Sequence, residues 1–160
     1  MFIKAFFCDF DGVFTDNRVL IDQDGKEYVS CCRSDGIGIK ELGKNNIYFC
    51  IVSSEIVPLA KFRANKLGID CFTDVKNKYD LINSIREKLN LSKAECAFLG
   101  NDINDLPAFE AVGLKLAVKD SYKSLLEKAD FILSKKGGNG VVREACEYIM
   151  KKNKELELNN

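Results

Sequence analysis

Short, nearly continuous apolar runs alternate along the chain with longer stretches whose apolar residues recur every three or four positions. The runs Phe2–Cys8, Ile47–Val52, Cys96–Leu99, Leu114–Val118 and Phe131–Leu133 predict strands buried on both faces. The longer stretches, roughly Gly36–Lys44, Val57–Leu67, Lys78–Leu89, Asp105–Ala111, Ser121–Lys128 and Gly140–Lys152, predict helices. In Val57–Leu67 the expected inner stripe is Leu59, Ala60, Phe62, Ala64 and Leu67, with Pro58 in a first turn that needs no N–H from it. This alternation predicts an α/β fold, a doubly wound, Rossmann-like parallel sheet with helices on both faces.

One segment departs from the alternation. Arg18–Ile21, the tetrapeptide Asp22-Gln23-Asp24-Gly25 and Lys26–Cys31 read as a β-hairpin with an Asp-Gly turn. No internal repeat, low-complexity tract or linker interrupts the chain. A single domain over residues 1–160 is expected, with the hairpin as a flap at about 18–32.

Composition narrows the chemistry. The 160 residues carry 24 Lys+Arg against 24 Asp+Glu, so no basic excess points to nucleic acid or an anionic membrane. No apolar run approaches membrane-spanning length, and the start FIKAFFCDFDG lacks the pattern of a signal peptide. The seven cysteines (8, 31, 32, 50, 71, 96 and 146) show no CxxC spacing and have no His to complete a zinc set. Most sit in apolar runs and read as reduced core residues of a cytoplasmic protein. With no His in the chain, acid–base chemistry falls to carboxylates, Lys or Tyr.

The stretch FFCDFDGVFTD poses the chemical question. Asp9 and Asp11 stand two apart directly after a buried strand, where like charges repel and resist desolvation. A cation resolves that conflict. Open α/β sheets bind ligands beyond the carboxyl ends of their strands. Ser53-Ser54-Glu55 and Asn101-Asp102 follow two further strands, and Lys78 lies between these two groups. Together they can hold a divalent cation and a phosphate, and hard oxygen donors suit Mg²⁺.

DFDGVFTD resembles the first motif of the haloacid dehalogenase superfamily, DxDGxxTD. Ser53 stands at the second motif, Lys78 at the third and GNDIND (Gly100–Asp105) at the acidic fourth. The gaps after the first and third motifs are too short for the cap domain that many members carry, so a capless fold is expected. RSDGIGIKEL and GGNGVVREACEYI are similar to stretches of the 3-deoxy-D-manno-octulosonate 8-phosphate phosphatases. They equally resemble phosphatases of nine-carbon sugar-acid 9-phosphates (2-keto-3-deoxynononic acid and N-acetylneuraminate) and the C-terminal module of some acylneuraminate cytidylyltransferases. The octulosonate enzymes tend to have Thr-Gly-Arg at the second motif. Glu55 here, with Lys66 eleven positions on, resembles the nine-carbon branch. Lys66 reads equally as a solvated helix charge.

The resemblance implies a mechanism. Asp9 attacks phosphorus to form an aspartyl phosphate, and Asp11 protonates the leaving oxygen and then activates water. Ser53 and Lys78 hold phosphoryl oxygens, and Asp105 orients the lysine. Ser54, Glu55, Lys66 and Arg143 contact substrate. Mg²⁺ sits on Asp9, the Asp11 carbonyl and the fourth motif, where Asn101 replaces the usual Asp and Asp102 follows it. Taken singly, Ser53 can be a helix N-cap, Lys78 a surface lysine, and Gly137–Gly140 a flexible turn. Asn101 brings no charge to a metal and is similar to the cytidylyltransferase-linked modules. The alternative to a sugar-acid phosphatase is therefore a non-catalytic oligomerisation module. A capless site lies open to water, and the resemblance implies a homotetramer whose packed hairpins supply the missing wall.

Overall fold

The computed structural model describes residues 1–56 and 58–159. In chain order the elements are β1 (Ala5–Cys8), β2 (Leu20–Ile21), β3 (Glu27–Tyr28), α1 (Asp35–Lys44), β4 (Tyr48–Val52), α2 (Leu59–Leu67), β5 (Asp70–Phe72) and α3 (Lys78–Lys88), followed by β6 (Cys96–Gly100), α4 (Leu106–Ala111), β7 (Leu114–Ala117), α5 (Lys123–Leu126), β8 (Phe131–Ile132) and α6 (Val141–Leu158). Six strands form one sheet in the order β5-β4-β1-β6-β7-β8, and every neighbouring pair is parallel. The chain steps from β1 outward to β4 and β5, then returns to the other side of β1 through β6. A crevice opens beyond the strand ends where the order reverses.

Period-two alternation divides the core between the two faces of this sheet. Phe6, Cys8, Phe49 and Ile51 pack with Leu42 of α1, Ala60 and Ala64 of α2, and Val142 and Ile149 of α6. Phe7, Cys50, Val52 and Phe98 pack on the other face with Ile82 of α3, Phe109 of α4 and Leu125 of α5. Edge-on pairs Phe6–Phe49 and Phe98–Phe109, at 5.1 and 6.2 Å between centroids, fix strand against strand and strand against helix. Truncating one of these rings to Ala would cost about 3–5 kcal/mol.

The pattern misled at three places. Phe62, expected in the inner stripe of α2, is 67% exposed. At about 100° per residue it lies roughly 200° round the helix from Ala60, on the opposite side from Ala60 and Ala64. The expected start of that helix at Val57 lies outside the described residues. The three-residue edge strand β5 was not anticipated, although the left-handed Gly68 that closes α2 (φ +68°) marks the chain's turn back to the sheet. The first apolar run pairs as a strand only from Ala5. Ahead of it, the Asn153 side chain accepts from the Ile3 N–H and donates to the Ile3 carbonyl, both at 2.8 Å, as a neighbouring strand would.

The hairpin is shorter than its sequence signal. Only Leu20–Tyr28 and Ile21–Glu27 pair, and the Asp22 carboxylate closes the turn by accepting N–H groups from Asp24 and Lys26 at 2.9 Å each. Val29 and Cys31 reach the core, while Leu20, Ile21 and Tyr28 remain exposed. The hairpin and α1 fill the gap after the first motif. Between Lys78 and Gly100 lie α3 and one 3-10 turn, so no cap is inserted in either gap. All seven cysteines are free. Among the described residues no helix is long and apolar enough to cross a membrane.

Candidate active site

The site begins one residue past β1. The Asp9 N–H still pairs with the Leu99 carbonyl at 3.0 Å, so the side chain leaves the sheet from a fixed backbone. Its Oδ1 accepts the Phe10 N–H at 2.7 Å. The chain then folds into a tight loop in which the Thr15 hydroxyl accepts N–H bonds from Gly12 (3.2 Å) and Asn17 (3.1 Å). Gly12 has a positive φ of +77°, and a Cβ there would collide with the Asn101 amide. The loop of Gly137–Gly140 is no free turn. The Gly138 N–H donates to the Val13 carbonyl at 3.0 Å, and a Cβ on Gly137 would strike the Gly12 carbonyl oxygen. One glycine loop therefore seats the other.

Lys78 is the hub. It opens α3 behind the Asn77 N-cap, whose Oδ1 accepts from Tyr79 at 3.0 Å. Far from being a surface lysine, it is 2% exposed. Its ammonium lies 3.1 Å from Asp9 Oδ1 and 2.7 Å from Asp105 Oδ1. The other Asp105 oxygen accepts the N–H groups of Asn101 (2.9 Å) and Asp102 (3.3 Å), tying the lysine to the tip of β6. Burial opposes the charge on Lys78, but Asp9 and Asp105 outweigh it and raise its pKa. Burial, and then the charge of Asp105, push Asp9 up to about 7 against the pull of Lys78. Asp11 is raised too, by burial first and then by Glu55.

Ser53 is buried at the end of β4. Its N–H donates to the Phe72 carbonyl at 2.8 Å and its hydroxyl accepts the Glu55 N–H at 3.2 Å. Since α2 starts six residues later, Ser53 caps no helix. Asp9, Asp11, Ser53, Ser54, Glu55, Asn101 and Asp102 all line one pocket of about 120 Å³. A second, of about 210 Å³, shares Asp11, Asn17, Ser53 and Glu55 with it and extends under the hairpin to Glu27. Asn101 is 8% exposed, and its Oδ1 is buried with no hydrogen-bond partner. Asp102 is already engaged, accepting the Ile103 N–H at 2.6 Å. Among the described residues no three His, Cys, Asp or Glu side chains are arranged to hold a metal. A cation here therefore depends on amide and carbonyl oxygens beside the acids, which is what the unpartnered Asn101 oxygen offers.

Two expected substrate residues are not brought in. Lys66 is exposed in the last turn of α2, about 10 Å along the helix from the Leu59 end that lines the pocket. Arg143 turns onto Glu147 one helical turn along, at 2.8 Å, and lines neither pocket. Three polar pocket residues, Asn17, Glu27 and Asn104, are not among the expected site residues. Asn17 carries a signal in its place directly after the DxDGxxTD stretch, where it adopts φ +65°. Glu27 shows none, being an exposed hairpin residue among other charges.

Comparison with known proteins gives the family. The model of the haloacid dehalogenase-like hydrolases matches residues 59–144. The 3-deoxy-D-manno-octulosonate 8-phosphate phosphatase of Yersinia pestis is 33% identical over 97% of this chain and 83% of its own. A crystal structure of that enzyme from Moraxella catarrhalis, in complex with a magnesium ion, a phosphate ion and a KDO molecule, superposes with a TM-score of 0.90 at 29% identity, over 98% of this chain and 90% of the other. A cobalt-bound form from Haemophilus influenzae superposes at 0.89 with 32% identity, over 94% and 89%. The chain belongs to the haloacid dehalogenase-like hydrolase family and is a phosphoric monoester hydrolase.

Proposed function

We propose that this hydrolase removes phosphate from a sugar-acid phosphate monoester in a Mg²⁺-dependent reaction with Asp9 as nucleophile. The observation that carries the reading is the buried Lys78, held between Asp9 and Asp105 beside a pocket that also contains Asp11, Ser53 and the unpartnered Asn101 oxygen. Lys78 and the Phe10 N–H both engage Asp9 through Oδ1, an arrangement that suits attack by the other oxygen. Asp9 attacks phosphorus as the bond to the sugar oxygen breaks, and Asp11 gives that oxygen its proton. The raised pKa of Asp11 suits a proton donor. Asp11 then takes a proton from water, which attacks phosphorus and frees Asp9. Lys78 and the Ser53 hydroxyl hold the phosphoryl oxygens as their charge redistributes.

The donor set fits Mg²⁺, which takes one or two carboxylates and completes its shell with water and phosphate oxygens. Asp9, the Asp11 carbonyl and the Asn101 amide would hold it, and Asp102 is the weaker candidate because it caps Ile103. Bound there, the ion supplies positive charge that keeps the buried Asp9 ionised and neutralises phosphate.

The octulosonate 8-phosphate is the first substrate to test, because similar enzymes act on it. A nine-carbon 9-phosphate is the second reading, favoured by Glu55, which lines both pockets where an Arg is expected for the eight-carbon substrate. The exposed Leu20, Ile21 and Tyr28 support a homotetramer joined through its hairpins, and seven free thiols support the cytoplasm. The test is phosphate release from these esters with Mg²⁺ and with a chelator, in the native protein and in Asp9→Asn. Turnover that needs both the metal and Asp9 is expected. Turnover surviving Asp9→Asn would remove the nucleophile, and none on any ester would leave the oligomerisation module.

A further inference from the structure

We propose that Glu27 of the hairpin, acting with Glu55, is a specificity-determining residue. It makes the space beside the ester accept a hydroxylated, uncharged stretch of the leaving group and reject an anionic one. The inference rests on the phosphatase reading above and deepens it.

The pocket under the hairpin has a divided lining. Phe10, Val19, Val29 and Leu59 give it apolar walls, while Asp11, Glu27 and Glu55 bring three carboxylates and no Lys or Arg joins them. The acids come from three separate elements: the loop after β1, strand β3 and the loop after β4. The position of the ester is set independently by the adjoining pocket, which contains Asp9 and the buried, unpartnered Asn101 oxygen. The four residues common to the two pockets make them one continuous cleft. Whatever is esterified to the phosphate therefore enters between Glu27 and Glu55.

Ionised carboxylates only accept hydrogen bonds, so they welcome hydroxyl and amine donors. A carboxylate placed between Glu27 and Glu55 meets like charge from both, while Asp11, holding the proton for the leaving oxygen, adds none. At about 210 Å³ the pocket is below the roughly 300–1,000 Å³ of sites that enclose a whole small molecule. It takes the carbons next to the ester and no more. The acid group of a sugar acid must then lie past the hairpin, at the far end of a polyol spacer. Glu27 and Glu55 are themselves exposed, so their repulsion is open to screening by salt.

Two small esters isolate this effect. Glycerol 3-phosphate and 3-phosphoglycerate differ only in a hydroxymethyl group against a carboxylate, two carbons from the ester. We expect kcat/KM to favour the neutral ester by about tenfold or more. Glu27→Gln brings the ratio towards one, chiefly through a lower KM for the acid, and added salt at about 0.5 M narrows the native ratio in the same sense. Asp24→Asn, which takes the same charge from the hairpin tip outside the pocket, keeps the native ratio. Should the small esters turn over too slowly, their inhibition constants against sugar-acid ester hydrolysis give the same comparison. A native ratio near one, or one that Glu27→Gln leaves unchanged, overturns the inference while hydrolysis itself stands. Failure to hydrolyse any ester overturns both.

Discussion

Lys78 lies 2% exposed with two carboxylates of its own chain within 3.1 Å, whereas Leu20, next in the chain to Val19 of the same cleft, is 71% exposed on a strand of two residues. Both regions bound the site, and they are ordered by different means. The strand tips hold charges that burial would otherwise disfavour, and each ion is kept in place by the next: Asp9 by Lys78, Lys78 by Asp105, Asp105 by the N–H groups of Asn101 and Asp102. The hairpin has two residue pairs and an Asp22 turn, anchored to the core by Val29 and Cys31. An isolated hairpin is marginal in water. The proposed chemistry thus sits on rigid elements, while the part proposed to select the leaving group sits on a light, exposed one.

Breaking the rigid side has the largest expected effect. Lys78→Met leaves Asp9 and Asp105 buried together without a cation, which should cost about 3–5 kcal/mol of stability. It should also lower kcat by about 10²–10³-fold through loss of charge beside the phosphate. Urea denaturation and phosphate release measure the two separately. Near-native stability would show that the triad is not what anchors the strand tips.

Asp35 sharpens the contrast, because it is a buried acid without a lysine at hydrogen-bonding distance. Its Oδ1 accepts the Arg143 N–H at 3.0 Å, tying α1 to the first turn of α6, and its Oδ2 has no partner. Burial raises its pKa to about 6, against those hydrogen bonds and the charge of Arg63. The folded state therefore holds this proton more tightly than the unfolded chain. Its contribution to stability is greatest below about pH 4, falls as pH rises to about 6, and is level above that, a change of about 3 kcal/mol. Asp35→Asn should remove this slope. Parallel slopes for the variant and the native protein between pH 4 and 6 would contradict the burial argument.

The smallest effect belongs to the hairpin surface. Leu20→Ser should change the stability of the folded chain by under about 0.5 kcal/mol, since the side chain contributes little to the core. Its effect should appear in the assembly, as a shift to smaller species in sedimentation and a raised KM. An unchanged sedimentation profile would separate the hairpins from oligomer formation.

These differences also explain what was legible in the sequence. Asp9, Ser53 and Asn101 each follow an apolar run, and a parallel sheet gathers such strand ends at one edge by topology alone. Lys78 could be placed by its order among the motifs, but its burial could not, because that depends on Asp105 reaching it from the turn after β6. Lys66 and Arg143 sit on helices recognisable in the sequence. Their distance from the cleft follows from helix length in one case and from an i,i+4 partner, Glu147, in the other. Glu27 was invisible because a charged residue on a hairpin looks like any solvated surface position. Only the fold shows that β3 overhangs the cleft.

The account stands on Asp9 carrying the phosphoryl group during turnover. Stopping the reaction with acid while substrate is saturating, reducing the protein with borohydride and mapping its peptides by mass spectrometry tests this directly, because an acyl phosphate is reduced to the alcohol and a free carboxylate is not. The expected result is homoserine at position 9 in the magnesium- and substrate-loaded protein, and none when metal or substrate is withheld. Reduction at Asp11, or none at any carboxylate while phosphate is being released, would contradict it.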